Sequence, residues 1–217
     1  MPKFYSVSHN TFQNPDLPWI ESIADRLDSG RHCKECDGDI YQPSGDLQCL
    51  LNRKKGKLWP DVIGCGAYPF FIVSSRVIED WRNDNLGVFI HNQVVLLPPY
   101  PRSLQTNIPP LYFWINGEAI VGARIDFDAS GFVDVRYCAT CGRRMDNTIE
   151  TYKRQQSSVW PYKFYDNSWD GKLLFTTDLS PTVFFCTQAL VECAIKHQHT
   201  NFRFVPVEHT EGAAVKY

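Results

Sequence analysis

Two Cys-x-x-Cys pairs, Cys33–Cys36 and Cys138–Cys141, are the residues of this chain that are best placed to do chemistry. A Cys-x-x-Cys turn presents two thiolates at the spacing that one edge of a metal tetrahedron requires. Two such turns together supply the four sulfurs of a structural, zinc-ribbon-like Zn²⁺ site. Because the pairs lie far apart in the sequence, the ion would clamp one half of the chain to the other. The sequence therefore predicts one Zn²⁺ bound by Cys33, Cys36, Cys138 and Cys141.

Redox chemistry and disulfide bonding are the alternative uses of these pairs. A redox Cys-x-x-Cys usually caps a helix after a strand, in a chain with one such motif. Here there are two motifs, and residues 142–147 after the second have the composition of a turn. Disulfides belong to oxidising compartments, and the first ten residues do not have the apolar core of a signal peptide. Zinc binding is favoured, and both alternatives stay open.

The four remaining cysteines are not spaced as metal ligands. Cys186 and Cys193 lie within apolar stretches and are predicted to be small buried hydrophobic residues. Cys49 or Cys65 as a replacement ligand is a less favoured alternative.

Composition limits the class of protein. The 217 residues are 43% hydrophobic and 14% aromatic, which is typical of a folded globular protein. The formal net charge of −2 argues against a general binder of nucleic acid or of anionic membranes. No apolar run approaches the roughly 20 residues that a membrane-spanning helix needs. We expect a soluble, cytoplasmic protein.

The sequence also indicates an internal duplication. Residues 71–89 align without a gap on residues 184–202, with matching apolar positions. Each copy is predicted to form a short buried strand, an N-cap at Ser74 or Thr187, an amphipathic helix and a second strand. A Cys-x-x-Cys pair and a Trp-Pro dipeptide precede each copy in the same order. This shared order favours duplication over chance.

A proline-rich segment separates the two copies. Residues 98–110 contain five prolines, which neither a helix nor a central strand can accommodate. We interpret the segment as a connector between half one, residues 1–97, and half two, residues 111–217. The whole chain, 1–217, is then a single zinc-clamped domain. The alternative interpretation is a proline-rich ligand for a partner.

Strands outnumber helices elsewhere in the chain, which predicts an α+β fold. A helix is predicted from Pro18 to Gly30, with Ile20, Ile23 and Leu27 on one face. A hairpin is predicted over residues 111–127, turning at Asn116-Gly117. Further strands are predicted at residues 3–7, 132–137, 172–176 and 202–207.

The order of these motifs resembles the bacterial double-CXXCG-motif family, over nearly the whole length of the chain. The first pair departs from the family pattern, because Asp37 occupies the glycine position and Gly38 follows it. The resemblance is carried by Cys33–Cys36, Trp59-Pro60-Asp61, Ser74–Val77, Tyr137–Gly142, Trp169–Phe175 and Asn201–Pro206.

The resemblance implies a binding function, since some members of that family are immunity proteins that neutralise delivered bacterial toxins. The sequence contains no Gly-x-Ser-x-Gly, no phosphate-binding loop and no His-Glu-x-x-His. We therefore expect a non-enzymatic protein with a structural zinc ion and a protein partner, a candidate being a cognate toxin. No small-molecule substrate and no membrane partner are inferred.

A zinc-dependent nucleic-acid-binding protein is the alternative function. Basic residues near zinc knuckles can contact phosphate backbones. His197 and His199 are predicted at the end of a helix, where imidazolium favours the helix dipole. His32 adjoins a predicted ligand; we interpret it as a flanking residue, and replacement of a ligand is the less favoured alternative. The basic residues that are candidates for contact with nucleic acid lie in the run Arg53–Lys57 and after the second cysteine pair: Lys54, Lys55, Lys57, Arg143 and Arg144.

Overall fold

The fold is mixed α+β, with 17% helix and 39% strand among the residues that the structure describes, which confirms the predicted class. The computed structural model describes residues 3–11, 14, 16–23, 31–36, 38–40, 45–52, 56–65, 70–87, 91–117, 120–142, 144–155, 162–165, 167–207 and 215–216.

Sixteen strands and three α-helices make up the described part of the chain. The strands are β1 (Phe4–His9), β2 (Ile20–Ile23), β3 (Arg31–Cys33), β4 (Gly38–Ile40), β5 (Leu47–Leu51), β6 (Val62–Ile63), β7 (Phe70–Ser74), β8 (His91–Leu97), β9 (Tyr112–Asn116), β10 (Val121–Ala123), β11 (Arg136–Tyr137), β12 (Arg144–Met145), β13 (Leu174–Thr177), β14 (Ser180–Thr187), β15 (Phe202–Pro206) and β16 (Val215–Lys216). The helices are α1 (Ser75–Asn83), α2 (Thr148–Gln155) and α3 (Gln188–Lys196), and a 3₁₀ helix spans Arg102–Leu104.

Two six-stranded sheets form the body of the protein. The first sheet has the order β2-β5-β8-β9-β7-β6, and the second has the order β10-β13-β14-β1-β15-β16. Two short antiparallel ribbons, β3–β4 and β11–β12, lie outside these sheets. The ribbons carry the cysteine pairs, and the sheets carry the core.

The same strand–helix–strand topology occurs in each sheet. In the first, β7 leads through α1 to β8, and β9 lies between the two strands and is antiparallel to both. In the second, β14 leads through α3 to β15, and β1 takes the middle position in the same orientation. The N-caps are Ser74 and Thr187, which confirms the predicted start of both helices.

The two middle strands come from opposite sides of the proline-rich segment. Strand β1, from the N-terminal part, lies in the second sheet, whereas β9, which follows the proline-rich segment, lies in the first. Each sheet therefore contains a strand from the other side of the predicted connector. The exchange ties the two parts of the sequence together through backbone hydrogen bonds.

Both helices contribute to one shared core. Val77 and Ile78 of α1 belong to the same buried cluster as Leu190 and Val191 of α3. The Phe71 ring, on β7, lies with its centroid 5.3 Å from that of Phe184 on β14. Apolar residues at helical spacing give each helix one face that it can bury only against the sheets and the other helix. Packing between the two strand–helix–strand units, β7-α1-β8 and β14-α3-β15, therefore stabilises the body of the protein.

The prediction of a helix from Pro18 to Gly30 is wrong for the part that the structure describes. Ile20–Ile23 forms strand β2, and Ile20 is buried beside Leu51 in the register of β5. Pairing at the edge of a sheet overrides the helical spacing of the isoleucines. Residues 24–30 lie outside the described part of the chain.

The predicted hairpin at Asn116-Gly117 is also wrong. Strand β9 pairs with β7 and β8 in the first sheet, while β10 pairs with β13 in the second. The chain crosses between sheets at Gly117, where an added Cβ would overlap the carbonyl oxygen of Pro181. The glycine is needed for a close approach of two backbones rather than for a hairpin turn. Helix α2 was not predicted.

Among the described residues, no helix combines the length and the apolar character needed to cross a membrane.

Candidate metal centre

Each cysteine pair lies at the turn of a short antiparallel ribbon. Cys33 ends β3 and pairs with Gly38 of β4, so that the first pair spans the tip of the first ribbon. Tyr137 of β11 pairs with Arg144 of β12, which places Cys138 and Cys141 at the tip of the second. The two ribbon tips face each other, because their sulfurs are in contact.

Gly142 completes the second turn. Its N–H donates to the carbonyl oxygen of Cys138 over 2.9 Å, and its φ of 71° lies in the left-handed region. Glycine adopts this conformation without steric cost. The Cys-x-x-Cys-Gly order is therefore the local sequence that folds this ribbon tip. Asp37, at the corresponding position of the first ribbon, lies outside the described residues.

The four sulfurs form a compact cluster. Cys33 Sγ lies 3.7 Å from Cys138 Sγ, and Cys36 Sγ lies 3.5 Å from Cys141 Sγ. All four lie within 4.8 Å of one another. A tetrahedral ion with metal–sulfur bonds of about 2.3 Å needs sulfurs about 3.8 Å apart. The cluster can therefore hold one metal ion, and the structure brings together all four residues that the sequence singled out.

The sulfur distances also bear on the disulfide alternative. All four cysteines are free thiols, and a disulfide would place two sulfurs about 2.05 Å apart. Each short contact joins one ribbon to the other rather than the two cysteines of one pair. This is the pattern of four ligands around a common centre.

The protein environment prepares one ligand for metal binding. Backbone N–H groups of Cys36 and Glu35 hydrogen bond to the sulfur of Cys33 and lower the pKa of this thiol to about 7. Metals bind the thiolate form, so a lower pKa reduces the cost of proton release. Cys33 and Cys138 are buried, while Cys36 and Cys141 are half-buried. One side of the cluster is thus packed against protein and the other lies nearer to solvent.

A polar contact between the ribbons accompanies the sulfurs. The Thr140 hydroxyl donates to the carboxylate of Glu35, and the same oxygen lies 3.6 Å from Cys138 Sγ. The hydrogen bond from Thr140 is the main reason that the pKa of Glu35 is lowered. These residues are the variable positions inside the two cysteine pairs, and the sequence pattern alone did not indicate that they meet.

The two described members of the predicted basic set, Arg144 and Lys57, are engaged with other protein groups. The Arg144 guanidinium lies over the rings of Phe127 and Phe132, with 16% of its side chain exposed. Burial is the main cause that lowers its pKa. Lys57 pairs with Asp16 at 2.8 Å. Lys54, Lys55 and Arg143 lie outside the described residues, as does the dipeptide Trp160-Pro161.

Asp61 forms a second junction between the two parts of the chain. Its carboxylate accepts hydrogen bonds from Ser74 Oγ at 2.9 Å and from Arg76 at 3.1 and 2.7 Å. It also accepts from the backbone N–H of Thr200 at 2.7 Å. Arg76 in turn donates to the carbonyl of His197 at the end of α3. The network joins the start of α1 to the end of α3.

Hydrogen bonding sets the ionisation of Asp61. Burial alone would raise the pKa of this carboxyl group, but hydrogen bonds from Arg76, Thr200 and Ser74 outweigh burial and lower it below the ordinary value of 3.8. The charged form is the one that accepts all of these hydrogen bonds. The sequence indicated Asp61 only as part of the Trp-Pro-Asp motif.

The two histidines near the end of α3 occupy different environments. His197 is the C-cap of α3, as the sequence predicted for the helix end. His199 is instead 1% exposed, with Nε2 2.8 Å from Asp80, and burial lowers its pKa. It is held by a carboxylate of α1 rather than by the helix dipole. The backbone of His32 lies in β3, and its side chain is outside the described part.

A second group of potential ligands was missed by the sequence analysis. Ligand atoms of Asp84, Cys193 and His197 lie within 4.8 Å of one another. The burial predicted for Cys186 and Cys193 is confirmed, but Cys193 also faces this group. The available signal was the spacing of Cys193 and His197, since residues four apart lie on the same face of a helix.

Comparison with known proteins gives no relative, because no protein-family model and no curated protein matches this chain. The resemblance to double-CXXCG proteins therefore stays a prediction that rests on the order of the motifs.

Proposed function

We propose that this chain is a non-enzymatic, zinc-stabilised binding protein that acts in the cytoplasm through contact with another protein. The observation that carries the proposal is the cluster of four sulfurs. An ion bound by Cys33, Cys36, Cys138 and Cys141 would have all four tetrahedral positions filled by protein, as in structural zinc sites. Thiolate sulfur in this geometry favours Zn²⁺ over harder cations. Such an ion holds a scaffold together and leaves no position for substrate.

The proposal includes an internal duplication. The repeated strand–helix–strand topology and its equivalent middle strands β9 and β1 support it. Each repeat contributes one cysteine ribbon, so the ion joins like to like. A rigid scaffold of this kind suits a protein that masks a partner, because a pre-formed surface loses less conformational entropy on binding.

Exposed apolar residues around the proline-rich connector support a protein partner. Ile108 is 92% exposed, and Leu58 and Leu111 are exposed as well. Leu58 and Leu111 precede Trp59 and Tyr112 in the sequence, and the contact between these two rings, with centroids 6.5 Å apart, brings the two segments together beneath the surface. We call Leu58, Ile108 and Leu111 the connector patch. Apolar side chains at the surface, next to aromatic rings, are typical of protein-binding sites.

The partner that the family resemblance implies is a cognate bacterial toxin, which makes this protein an immunity protein. Masking a toxin requires a complementary surface of roughly 800 Å² per partner. Nucleic acid is the alternative partner, but of its five basic candidates Arg144 and Lys57 already pair with protein groups. The connector patch favours protein over nucleic acid.

The test is co-expression with adjacent reading frames, scored by growth rescue and by co-purification. We expect one neighbour to be toxic alone and to bind this protein in a complex that persists at high salt. Ile108→Asp should weaken the complex at least tenfold, whereas Ile149→Asp, at an apolar position 69% exposed on α2, should leave it unchanged.

Two results would overturn the proposal. One is the absence of any toxic neighbour together with nucleic-acid binding that weakens steeply with salt, as contacts to phosphate do. The other is a complex that Ile108→Asp and Ile149→Asp affect equally, which would exclude the connector patch as the binding surface.

A further inference from the structure

The C-terminal ends of α1 and α3 bring together two pairs of potential metal ligands. Asp80 and Asp84 lie four residues apart at the end of α1, and Cys193 and His197 lie four residues apart at the end of α3. The ungapped alignment of the two units places Asp80 on Cys193 and Asp84 on His197. Equivalent positions of the two strand–helix–strand units therefore lie close together. This group contains none of the four cysteines of the ribbons.

Three ligand atoms have the spacing of a mixed metal site. His197 Nε2 lies 3.1 Å from Asp84 Oδ2, and Cys193 Sγ completes a group whose atoms all lie within 4.8 Å of one another. A tetrahedral Zn²⁺ with bonds of about 2.0–2.2 Å to nitrogen and oxygen needs these two atoms about 3.4 Å apart. The imidazole and the carboxylate now hydrogen bond directly, and a separation larger by about 0.3 Å would let them share an ion.

The outer sides of His197 and Asp84 are also held. His197 Nδ1 lies 3.4 Å from Asp80 Oδ1, and the other oxygen of Asp80 lies 2.8 Å from His199 Nε2. A carboxylate behind a metal-binding histidine fixes the ring and its tautomer. Lys196 Nζ lies 2.6 Å from Asp84 Oδ1, which leaves Oδ2 directed at His197. His197 and Asp84 are thus pre-oriented by contacts to Asp80 and Lys196 that an ion would not need to break.

The local charge favours a cation. Helix C-termini carry partial negative charge, and α1 and α3 both end at this group. Two carboxylates, Asp80 and Asp84, add formal negative charge, and Lys196 offsets one of them. Cys193 is buried, while the His197 side chain is 23% exposed, so the group lies at the edge of the core with one side towards solvent.

We propose that Asp84, Cys193 and His197 bind a second Zn²⁺ ion, with one coordination position open to solvent. Binding would displace the thiol proton of Cys193, which leaves to solvent, and would fill Nε2 of His197 and Oδ2 of Asp84. Asp80 is a positioning residue that acts through His197. An open coordination position accepts water or a small anionic or thiol ligand, unlike the closed site of four sulfurs.

Metal counting on the intact protein tests this site. Protein with its resident metal is brought to equilibrium by dialysis against Zn²⁺, and bound zinc is measured by elemental analysis. Wild type should bind two equivalents, and Asp84→Asn and Cys193→Ala should each bind one. Cys186→Ala, which removes a thiol equally buried in the same core cluster, should keep two. Asp80→Asn should weaken the second equivalent about 10–100-fold.

Cobalt gives a second measurement that does not depend on stability. The second equivalent of Co²⁺ should add a thiolate-to-metal absorption band that Cys193→Ala removes and Cys186→Ala keeps. Binding of only one equivalent by wild type would overturn the proposal. So would a second equivalent that Asp84→Asn and Cys193→Ala leave unchanged. Because the two equivalents are counted separately, failure here does not affect the site of four sulfurs.

Discussion

Two of the junctions between the two parts of the chain differ in chemistry. The cysteine cluster joins two short ribbons that lie outside both six-stranded sheets, and its sulfurs lie 3.5 and 3.7 Å apart across the junction. The Asp61 network joins α1 to the end of α3 with hydrogen bonds between 2.7 and 3.1 Å, directly above the shared core. The first junction has the sulfur geometry of a metal site, whereas the second is made by protein groups alone.

The difference between these two junctions indicates how stability is distributed between the ribbons and the sheets. Two-stranded ribbons bury too little surface to be stable alone, so we expect the ribbons to depend on the proposed ion. The sheets share a core to which α1 and α3 contribute. The hydrogen bonds of Asp61 join these two helices without a metal ion. Losing the ion should therefore release the ribbons, whereas losing Asp61 should weaken the body.

The largest expected effect comes from Cys138→Ser, which removes one of the four sulfur ligands. Zinc binding contributes roughly 10–16 kcal/mol in small zinc peptides, so the variant should lose the ion and the ribbons should separate. Hydrogen exchange should rise steeply in residues 31–40 and 136–145, while β7 and β14 stay protected. The matched variant Cys186→Ala should keep both its metal and the protection of the ribbons. Slow exchange in the ribbons of Cys138→Ser would contradict the idea that the ribbons, unlike the sheets, depend on the ion.

The next effect concerns the junction that needs no metal. Asp61→Ala leaves Ser74, Arg76 and Thr200 without their shared acceptor, at a position 7% exposed. We expect the free energy of unfolding to fall by about 2–3 kcal/mol, since half-exposed Arg76 can turn to solvent. Urea unfolding of the zinc-loaded protein measures this change. Asp128→Ala, at an exposed carboxylate, should change stability by less than about 0.5 kcal/mol.

The Asp61 network also predicts a dependence on pH. The folded-state pKa of Asp61 lies below its ordinary value of 3.8. The network therefore contributes fully above that value, and its contribution is lost as pH falls from about 4 through the folded pKa. Urea unfolding of wild type should show this fall, and Asp61→Asn should lose less stability over the same interval. Equal slopes for the two proteins would show that Asp61 is not ionised in the network.

The smallest effect compares the two N-caps. Ser74 Oγ donates to Asp61, whereas Thr187 Oγ1 is buried with no hydrogen-bond partner among the described residues. Ser74→Ala should cost about 1 kcal/mol. Thr187→Val should be neutral or slightly stabilising, because it replaces an unsatisfied hydroxyl by a methyl group of similar size. Thermal unfolding of both variants measures the difference, and equal losses would mean that the two units use their caps alike.

The sequence predicted the parts of the molecule that local chemistry determines. Helices α1 and α3 begin directly after Ser74 and Thr187, where a hydroxyl residue precedes an apolar face. The four cysteines meet because each Cys-x-x-Cys turn supplies two sulfurs to one cluster. It failed where distant strands decide the outcome. Ile20–Ile23 has helical spacing but pairs with β5, and Asn116-Gly117 has hairpin composition but carries the chain between sheets.

The same limit applies to the sites. Neither the contact between Glu35 and Thr140 nor the convergence of Asp84 with Cys193 and His197 has a motif of its own. These contacts arise because the ribbons face each other and because α1 and α3 end together. Tertiary packing creates these contacts. Only the spacing of Cys193 and His197 indicated, from the sequence, two of the three residues of this second group.

X-ray absorption at the zinc edge, on protein loaded with one equivalent of Zn²⁺, tests the central claim most directly. If Cys33, Cys36, Cys138 and Cys141 bind one ion between the ribbons, the spectrum should report four sulfur ligands at about 2.3 Å. A first shell that contains nitrogen or oxygen, or fewer than four sulfurs, would contradict the zinc clamp.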